Sequence, residues 1–245
     1  LLFKPSINCV AAYLGGLRNG HTILLLNPNV DKKLQNIVLE KFSINFIYNE
    51  DKFQNLKNKN NKYFFTANKD IKILMSTSGS TGSPKLVKLS SKNISSNATN
   101  ISKYLQINKS EKAISSLPFH QAYGLSILNS HLEVGAKILL TDLPITDKEF
   151  WKLFKLMGVT SLAGVPNTWR ILKGLKFERM LLPNLNYVTQ AGGKLDTSEI
   201  EWLTEIAKSN NFKLFIMYGM TEATARISYY EPILMPSKIG SIGKS

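Results

Sequence analysis

The chain has 245 residues, 43% of them hydrophobic and 10% aromatic, which is enough to bury the core of one large domain or two small ones. Its single cysteine, Cys9, excludes an internal disulfide, and its three histidines have no neighbouring cysteines with which to form a metal cluster. The 31 Lys and Arg residues outnumber the 17 Asp and Glu residues, but they are scattered along the chain, which indicates a compositional bias rather than a nucleic-acid-binding patch.

The first part of the chain alternates helical and strand-like stretches. It starts inside a helical pattern at Leu1, as expected of a piece of a longer protein, and no apolar run approaches the roughly 18 to 20 residues of a membrane span. We therefore expect a cytoplasmic protein. The pattern predicts helices over 6–17 and 31–42 and strands over 22–26 and 44–48, followed by a polar linker over 51–69. Residues 1–70 are thus expected to form a partial first α/β subdomain with its linker.

The second part continues this alternation through residue 217. Strands are predicted over 71–76, 85–89, 112–116, 136–141, 159–163, 186–190 and 213–217, and helices over 91–104, 122–133, 147–157, 166–174 and 197–208. The pattern predicts an α/β fold with mostly parallel sheets flanked by helices on both faces, and a second subdomain over 71–245. Ligands of such sheets bind beyond the carboxyl ends of the strands, so we expect the loops there to converge.

One of these loops, within STSGSTGSPKLVKLS at 76–90, is crowded with hydroxyl side chains. It is not the nucleotide loop Gly-x-x-x-x-Gly-Lys-Ser/Thr, because the fifth residue after Gly79 is Pro84. The alternation that follows predicts a strand, so the loop is interpreted as the tip of a hairpin. Its hydroxyl and backbone donors suit a polyphosphate, and its glycines allow close approach. The residues concerned are Thr77, Ser78, Gly79, Ser80, Thr81, Gly82 and Ser83, with Lys85 adding a charge at the edge.

This loop and the downstream motif YGMTEAT at 218–224 together resemble the adenylate-forming superfamily of acyl-CoA synthetases, carrier-protein adenylation domains and beetle luciferase. LPFHQAYGL at 117–125, GVP at 164–166 and QAGGKL at 190–195 lie between them in the expected order. The resemblance covers nearly the whole chain. It implies that ATP and a carboxylic acid give an acyl-adenylate and pyrophosphate, and that the acyl group then passes to CoA or to a phosphopantetheinyl carrier protein.

The resemblance also implies roles for single residues. The loop from Thr77 to Lys85 would hold the β- and γ-phosphates. Tyr218 and Gly219 would border the adenine together with Ala191, Gly192 and Gly193. Thr221 would donate to the α-phosphate, and Glu222 would ligate Mg²⁺. Catalysis would then depend on Thr221, Glu222 and Lys85 through positioning and charge stabilisation, because an ionised carboxylate needs no general base.

The acyl pocket is expected between Gln121, Tyr123, Gly124, Ser126, Val165, Trp169, Gln190 and Met220. Gln121 aligns with the gate of the family, and His120 is interpreted either as a pocket wall or as a loop histidine with a structural role. The segment holds no Asp to bind a substrate ammonium, which favours a simple carboxylic or fatty acid over an amino acid.

Leu86 stands where the family usually has Gly, and the small C-terminal domain with its lysine would lie beyond Ser245. We therefore expect these 245 residues alone to bind ATP weakly and to adenylate poorly. The net charge of +14 would suit an acidic acyl carrier protein as partner. Two alternatives stay open: a non-catalytic nucleotide-binding or scaffold derivative of the fold and, on charge alone, a nucleic-acid-binding protein.

Overall fold

The structure is a computed structural model that describes residues 1–42, 44–49, 52–56, 68–76, 85–234 and 236–245. The strands are β1 (Ile23–Leu25), β2 (Phe46–Asn49), β3 (Lys52–Asn55), β4 (Ile71–Ser76), β5 (Leu86–Ser90), β6 (Lys112–Ile114), β7 (Lys137–Leu139), β8 (Ser161–Gly164), β9 (Tyr187–Gln190), β10 (Lys213–Tyr218) and β11 (Ser228–Tyr230). The helices are α1 (Ile7–Arg18), α2 (Lys32–Lys41), α3 (Ser91–Tyr104), α4 (Ala122–Glu133), α5 (Lys148–Leu156), α6 (Pro166–Gly174) and α7 (Thr197–Ser209). Short 3₁₀ turns lie at Phe177–Arg179, Thr221–Ala223 and Pro236–Lys238.

A three-stranded sheet has the order β1-β4-β5. β4 pairs parallel with β1 and antiparallel with β5, and Ser76 lies opposite Leu86 at the open end of the second pair. β4 and β5 are therefore the two arms of a hairpin, as the alternation after Pro84 predicted. The sheet buries Ile73, Met75 and Leu89 against α1 and one face of α4.

A six-stranded sheet has the order β11-β10-β9-β8-β6-β7. All of its strands pair in parallel except β11, which runs antiparallel to β10. Side chains of β10 alternate between the two faces: Leu214 and Ile216 pack with α5, α6 and α7, whereas Phe215 and Met217 pack with α3. Burial on both faces explains why the strand is almost continuously apolar.

Helices α3 and α4 form a layer between the two sheets. Leu125 and Leu128 of α4 pack on the three-stranded sheet, whereas Ile127 packs with β6 and β8 of the six-stranded sheet. The opposite face of the larger sheet is covered by α5, α6 and α7. The predicted α/β fold, with a mostly parallel sheet between helices, is confirmed.

Three features of the strands were not predicted from the sequence. The expected linker 51–69 contains β3, whose four residues are all exposed and therefore carry no apolar alternation, and which forms by pairing with β2. β11 was not predicted. β4 does not lie in the sheet of β6, β8, β9 and β10, because β1 and β5 occupy both of its edges. The pairing of β4 with β1 joins strands from either side of the predicted boundary at residue 70. The division into 1–70 and 71–245 stays a prediction.

No helix among the described residues is long and apolar enough to span a membrane. The same part of the chain contains no group of three or more His, Cys, Asp or Glu residues that could hold a metal ion.

Candidate active site

A tight turn follows β10 at the motif predicted to bind nucleotide. Tyr218, the last residue of the strand, is 44% exposed, and Thr221–Ala223 forms a single 3₁₀ turn. A Cβ atom on Gly219 would lie 1.5 Å from the carbonyl oxygen of Ala225, so the chain can return past this point only if residue 219 is glycine. The Tyr218 carbonyl accepts from the amide of Ile227 at 2.9 Å, which closes the turn and leaves Glu222 exposed at its tip.

The loops after β8 and β9 lie in contact beside this turn, as the convergence rule predicted. The amide of Ala191 donates to the carbonyl of Gly164 at 3.3 Å. Gly192 has a φ of +79°, and a Cβ there would lie 3.0 Å from Cγ1 of Val165. The buried Gln190 side chain donates through Nε2 to the carbonyl of Gly193 at 2.8 Å and so holds the loop closed.

Strand β5, the second arm of the β4–β5 hairpin, lies near the same place. β5 lies against the turn Thr221–Ala223, and Lys85 is exposed immediately before β5. Residues 77–84, which include the predicted phosphate-binding Thr77, Ser78, Gly79, Ser80, Thr81 and Gly82, lie outside the described residues. Their phosphate-binding role stays a prediction, but β5 is placed beside the nucleotide motif.

Helix α4 supplies the residues predicted to line the acyl pocket from one side. Gln121 is exposed at the N-cap of α4. The Tyr123 hydroxyl donates to Oγ1 of Thr189 on β9 at 2.8 Å, and burial raises the pKa of Tyr123 above its usual range. Gly124 is buried, and a Cβ there would lie 2.2 Å from the Pro118 carbonyl oxygen. These contacts hold α4 close to the carboxyl end of β9.

The remaining predicted pocket residues differ in exposure. Met220 is 45% exposed, and Val165 is half-buried at the start of α6. Trp169 is fully buried in the core beneath α6, and its Nε1 has no hydrogen-bond partner among the described residues. Trp169 therefore packs as a core aromatic in this structure, and its contact with an acyl group stays a prediction.

His120 lies at the opposite side of α4, near the three-stranded sheet. Burial lowers its pKa, and the backbone of Phe3 opposes this shift. Phe3 belongs to the core of the smaller sheet, together with Phe119. Its Nδ1 is buried without a hydrogen-bond partner among the described residues, and both interpretations of His120 stay predictions.

Arg226 ends the loop YGMTEATAR, is only 8% exposed and was not among the residues predicted for the site. Its Nε donates to Oγ of Ser126 at 3.0 Å, and its Cζ lies 5.1 Å from the ring centroid of Tyr123. It thus contacts two of the predicted pocket residues. In the sequence, this arginine follows directly after small residues at the end of the nucleotide motif. An arginine at such a position is ordinarily expected on the surface, so the pattern did not indicate that it is buried.

Comparison with known proteins agrees with this geometry. Residues 36–245 match the family described as AMP-binding enzyme. The chain belongs to this family. Similar proteins include 2-succinylbenzoate–CoA ligase of Bacillus cereus, 29% identical over 177 residues, and the enzyme of the same name of Staphylococcus aureus, 26% identical over 176 residues. These alignments cover 72% and 71% of this chain.

Solved structures with the same fold include two enzymes crystallised with ligands. VinN in complex with L-aspartate has a TM-score of 0.81 and 21% identity, covering 98% of this AMP-binding chain and 67% of VinN. The o-succinylbenzoate CoA synthetase of Bacillus subtilis, in complex with the acyl-adenylate intermediate OSB-AMP, has a TM-score of 0.75 and 21% identity, covering 96% of this chain and 64% of that one. The alignments with the curated relatives of Bacillus cereus and Staphylococcus aureus span only 36% and 34% of their lengths.

Proposed function

We propose that the full-length protein activates a carboxylic acid with ATP and then transfers the acyl group to a thiol. An oxygen of the acid's carboxylate attacks the α-phosphorus of ATP, and the bond from that phosphorus to the bridging oxygen breaks. Pyrophosphate leaves with the electron pair, and an acyl-adenylate is formed. Attack by a thiolate on the acyl carbon then releases AMP and gives a thioester. Membership of the AMP-binding enzyme family supports this proposal.

The observation that carries the proposal is that the turn after β10 lies near the ends of several neighbouring strands. The turn after β10, the loops after β8 and β9, and the β4–β5 hairpin approach one another at one edge of the sheets. Tyr218 offers a half-exposed ring against which a purine can stack, and the Ala191–Gly193 loop carries no large side chain that would block its edge. The arrangement therefore fits an adenine nucleotide.

The chain's own residues would act by position and charge. Thr221 would donate its hydroxyl to the α-phosphate, and Lys85 would add a point charge where the phosphates lie. Glu222 offers one exposed carboxylate, which fits Mg²⁺ because this ion is commonly bound by one or two carboxylates together with substrate phosphates and water. When bound, Mg²⁺ would neutralise the charge on the phosphates during attack.

CoA is the acceptor that the comparisons support best, because the similar proteins of Bacillus cereus and Staphylococcus aureus are named CoA ligases. A phosphopantetheinyl carrier protein would present the same thiol, and the excess of basic residues would attract an acidic carrier. The acyl substrate is a carboxylic acid. The set of acids to be tested should include 2-succinylbenzoate.

The test is ATP–pyrophosphate exchange by the full-length protein against a panel of carboxylic acids, followed by thioester formation with CoA. We expect exchange that depends on both an acid and Mg²⁺. Binding of ATP without exchange for any acid would contradict the proposal and favour a non-catalytic nucleotide-binding derivative. A salt-sensitive interaction with DNA or RNA, without ATP binding, would favour the nucleic-acid alternative.

A further inference from the structure

The turn after β10 contains two successive residues with positive φ angles. Thr224 has a φ of +61° and Ala225 has a φ of +94°. Residues with a Cβ atom rarely adopt such conformations, and a β-branched residue such as threonine is strained there. Backbone strain of this kind persists only where surrounding contacts hold the chain in place. This strained pair would therefore relax towards negative φ if its surroundings released it.

The strained pair is hydrogen-bonded to the segment that carries the two proposed nucleotide contacts. The amide of Thr224 donates to the carbonyl of Thr221 at 3.0 Å, and the amide of Ala225 donates to the carbonyl of Met220 at 3.1 Å. Thr221 and Glu222 lie in the 3₁₀ turn that these bonds close. Relaxation of the pair would accordingly displace the Thr221 hydroxyl and the Glu222 carboxylate.

Arg226 comes directly after the strained pair and attaches it to α3 and α4. Its Nε donates to Oγ of Ser126 on α4 at 3.0 Å, and its Nη1 donates to the hydroxyl of Tyr104 on α3 at 3.2 Å. Asn97 of α3 donates through Nδ2 to the Arg226 carbonyl at 3.0 Å. Both the side chain and the backbone of Arg226 are thus bound to helices from a distant part of the chain.

The charge of Arg226 is not explained by folding stability. The residue is buried, no described Asp or Glu forms an ion pair with it, and burial lowers the pKa of the nearby His131 to about 4, so that this neighbour is neutral. Arginine keeps its proton in proteins, and burial of a charge among neutral groups is costly. An apolar side chain would fill the same space without this cost. The guanidinium adds separate N–H donors that reach two helices at once.

We propose that Arg226 is a positioning residue, which holds the strained pair in place and thereby presents Thr221 and Glu222 to the nucleotide. Its contacts with α3 and α4 prevent the pair from relaxing, and the hydrogen bonds of the pair transmit this constraint to the 3₁₀ turn. This inference rests on the proposed function, in which Thr221 and Glu222 contact the phosphates and Mg²⁺.

The first test is ATP–pyrophosphate exchange by the full-length protein. Arg226→Met keeps much of the side-chain volume but removes the donors, and we expect kcat to fall by about 10 to 100-fold. Arg226→Lys keeps the charge and part of the donor capacity, so it should recover part of this loss. The exposed Arg179→Met is the matched control and should keep the wild-type kcat.

The same assay in a Thr221→Ala background separates positioning from a general loss of structure. There Arg226→Met should lower kcat by only about 3 to 10-fold, because one of the two contacts that it positions is already absent. A merely structural role would lower kcat by the same factor in both backgrounds, and that result would overturn the inference.

Relief of the backbone strain gives a second readout, which requires no catalysis. Glycine accepts a positive φ, so Ala225→Gly should raise the unfolding temperature of the otherwise wild-type protein by about 1 to 3 °C. In Arg226→Met, where the pair has relaxed, the same substitution should leave the unfolding temperature unchanged or lower it. Ala11→Gly, at an exposed position of α1, is the control and should lower it equally in both backgrounds.

Tyr104→Phe, which removes one acceptor of the guanidinium, replaces Arg226→Met in both tests if that variant does not fold. Equal stabilisation by Ala225→Gly in both backgrounds would mean that Arg226 does not hold the strained pair; the inference would then fail while the proposed function stands. Absence of exchange by the wild type with every acid would instead contradict the proposed function, and this inference with it.

Discussion

The carbonyl oxygen of Ala225 occupies the space that a side chain at Gly219 would need, since a Cβ there would lie 1.5 Å from this oxygen. The return of the chain brings Arg226 into contact with Ser126 of α4 and leaves Glu222 exposed at the tip of the turn. One glycine thus fixes the position of the proposed nucleotide site relative to the buried Arg226.

Gly219→Ala is expected to displace this turn. We expect the free energy of unfolding to fall by about 1 to 3 kcal/mol, because backbone atoms must move to relieve the overlap. Exchange activity should fall by about 100-fold, because a displacement of about 1 Å in a positioned site has a cost of this size. Chemical denaturation and ATP–pyrophosphate exchange measure the two effects.

Gly15→Ala is the matched control, because Gly15 lies within α1 and an added Cβ would have no atom within 4 Å. This variant should be more stable by about 0.5 to 1 kcal/mol, since alanine is the better helix former, and fully active. A Gly219→Ala protein with normal stability and normal exchange would show that the turn tolerates a side chain.

Glu222→Gln tests the proposed metal ligand. The amide keeps the size of the side chain but loses the charge that Mg²⁺ prefers, so we expect the Mg²⁺ concentration for half-maximal exchange to rise and the maximal rate to drop by about 10 to 100-fold. Glu201→Gln, an equally exposed change on α7, should leave both quantities at the wild-type values. An unchanged Mg²⁺ dependence in Glu222→Gln would remove Glu222 from the metal site.

The helices and the hairpin could be predicted from the sequence because local patterns specify them. α4 and α6 have the predicted bounds, and the Leu86–Ser90 strand follows directly from alternation after Pro84. The nucleotide motif was recognised because YGMTEAT and the hydroxyl loop are specific in combination. The contact of Tyr123 with Thr189 at the end of β9 agrees with the expected convergence of loops at the ends of parallel strands.

The remaining features depend on contacts between distant parts of the chain. β3 is exposed along its whole length and carries no period-two signal, so only its pairing with β2 defines it. The membership of β4 in the smaller sheet is decided by β1, almost 50 residues earlier in sequence. The burial of Arg226 depends on Ser126 and Tyr104, which are 100 and 122 residues away, so no local pattern distinguishes it from a surface arginine.

Tyr13 tests whether residues 1–70 form a unit of their own. It is fully buried in α1, and its hydroxyl donates to Oδ1 of Asn129 on α4 at 3.0 Å. Tyr13→Ala should lower the free energy of unfolding by about 3 to 5 kcal/mol in a single cooperative transition, because the cavity would lie in a core shared by both parts. Leu14→Ala, at a neighbouring position that is 42% exposed, should change it by at most about 0.5 kcal/mol. A separate early transition in Tyr13→Ala alone would support an independent first subdomain.

Because His131 is buried, we expect the free energy of unfolding to decrease in acid. In the folded protein its pKa is lowered from 6.5 to about 4, chiefly by burial, and its Nδ1 lies 2.9 Å from the Ile127 carbonyl, to which it donates. Between these two values the unfolded chain binds a proton that the folded chain does not, so folding stability decreases as the pH falls. The contribution of His131 to folding stability is fully present above about pH 7, and roughly 3 kcal/mol of it is lost by about pH 4.

The measurement is urea denaturation at a series of pH values for the wild type and for His131→Gln. Carboxylates contribute to both proteins, so the difference between the two curves isolates the histidine, and it should shrink steadily from pH 7 to pH 4. His21→Gln, at an exposed site, should instead follow the wild-type curve throughout. A constant difference between wild type and His131→Gln would mean that His131 takes up a proton equally well in the folded protein, which the positive charge of Arg226 beside it opposes.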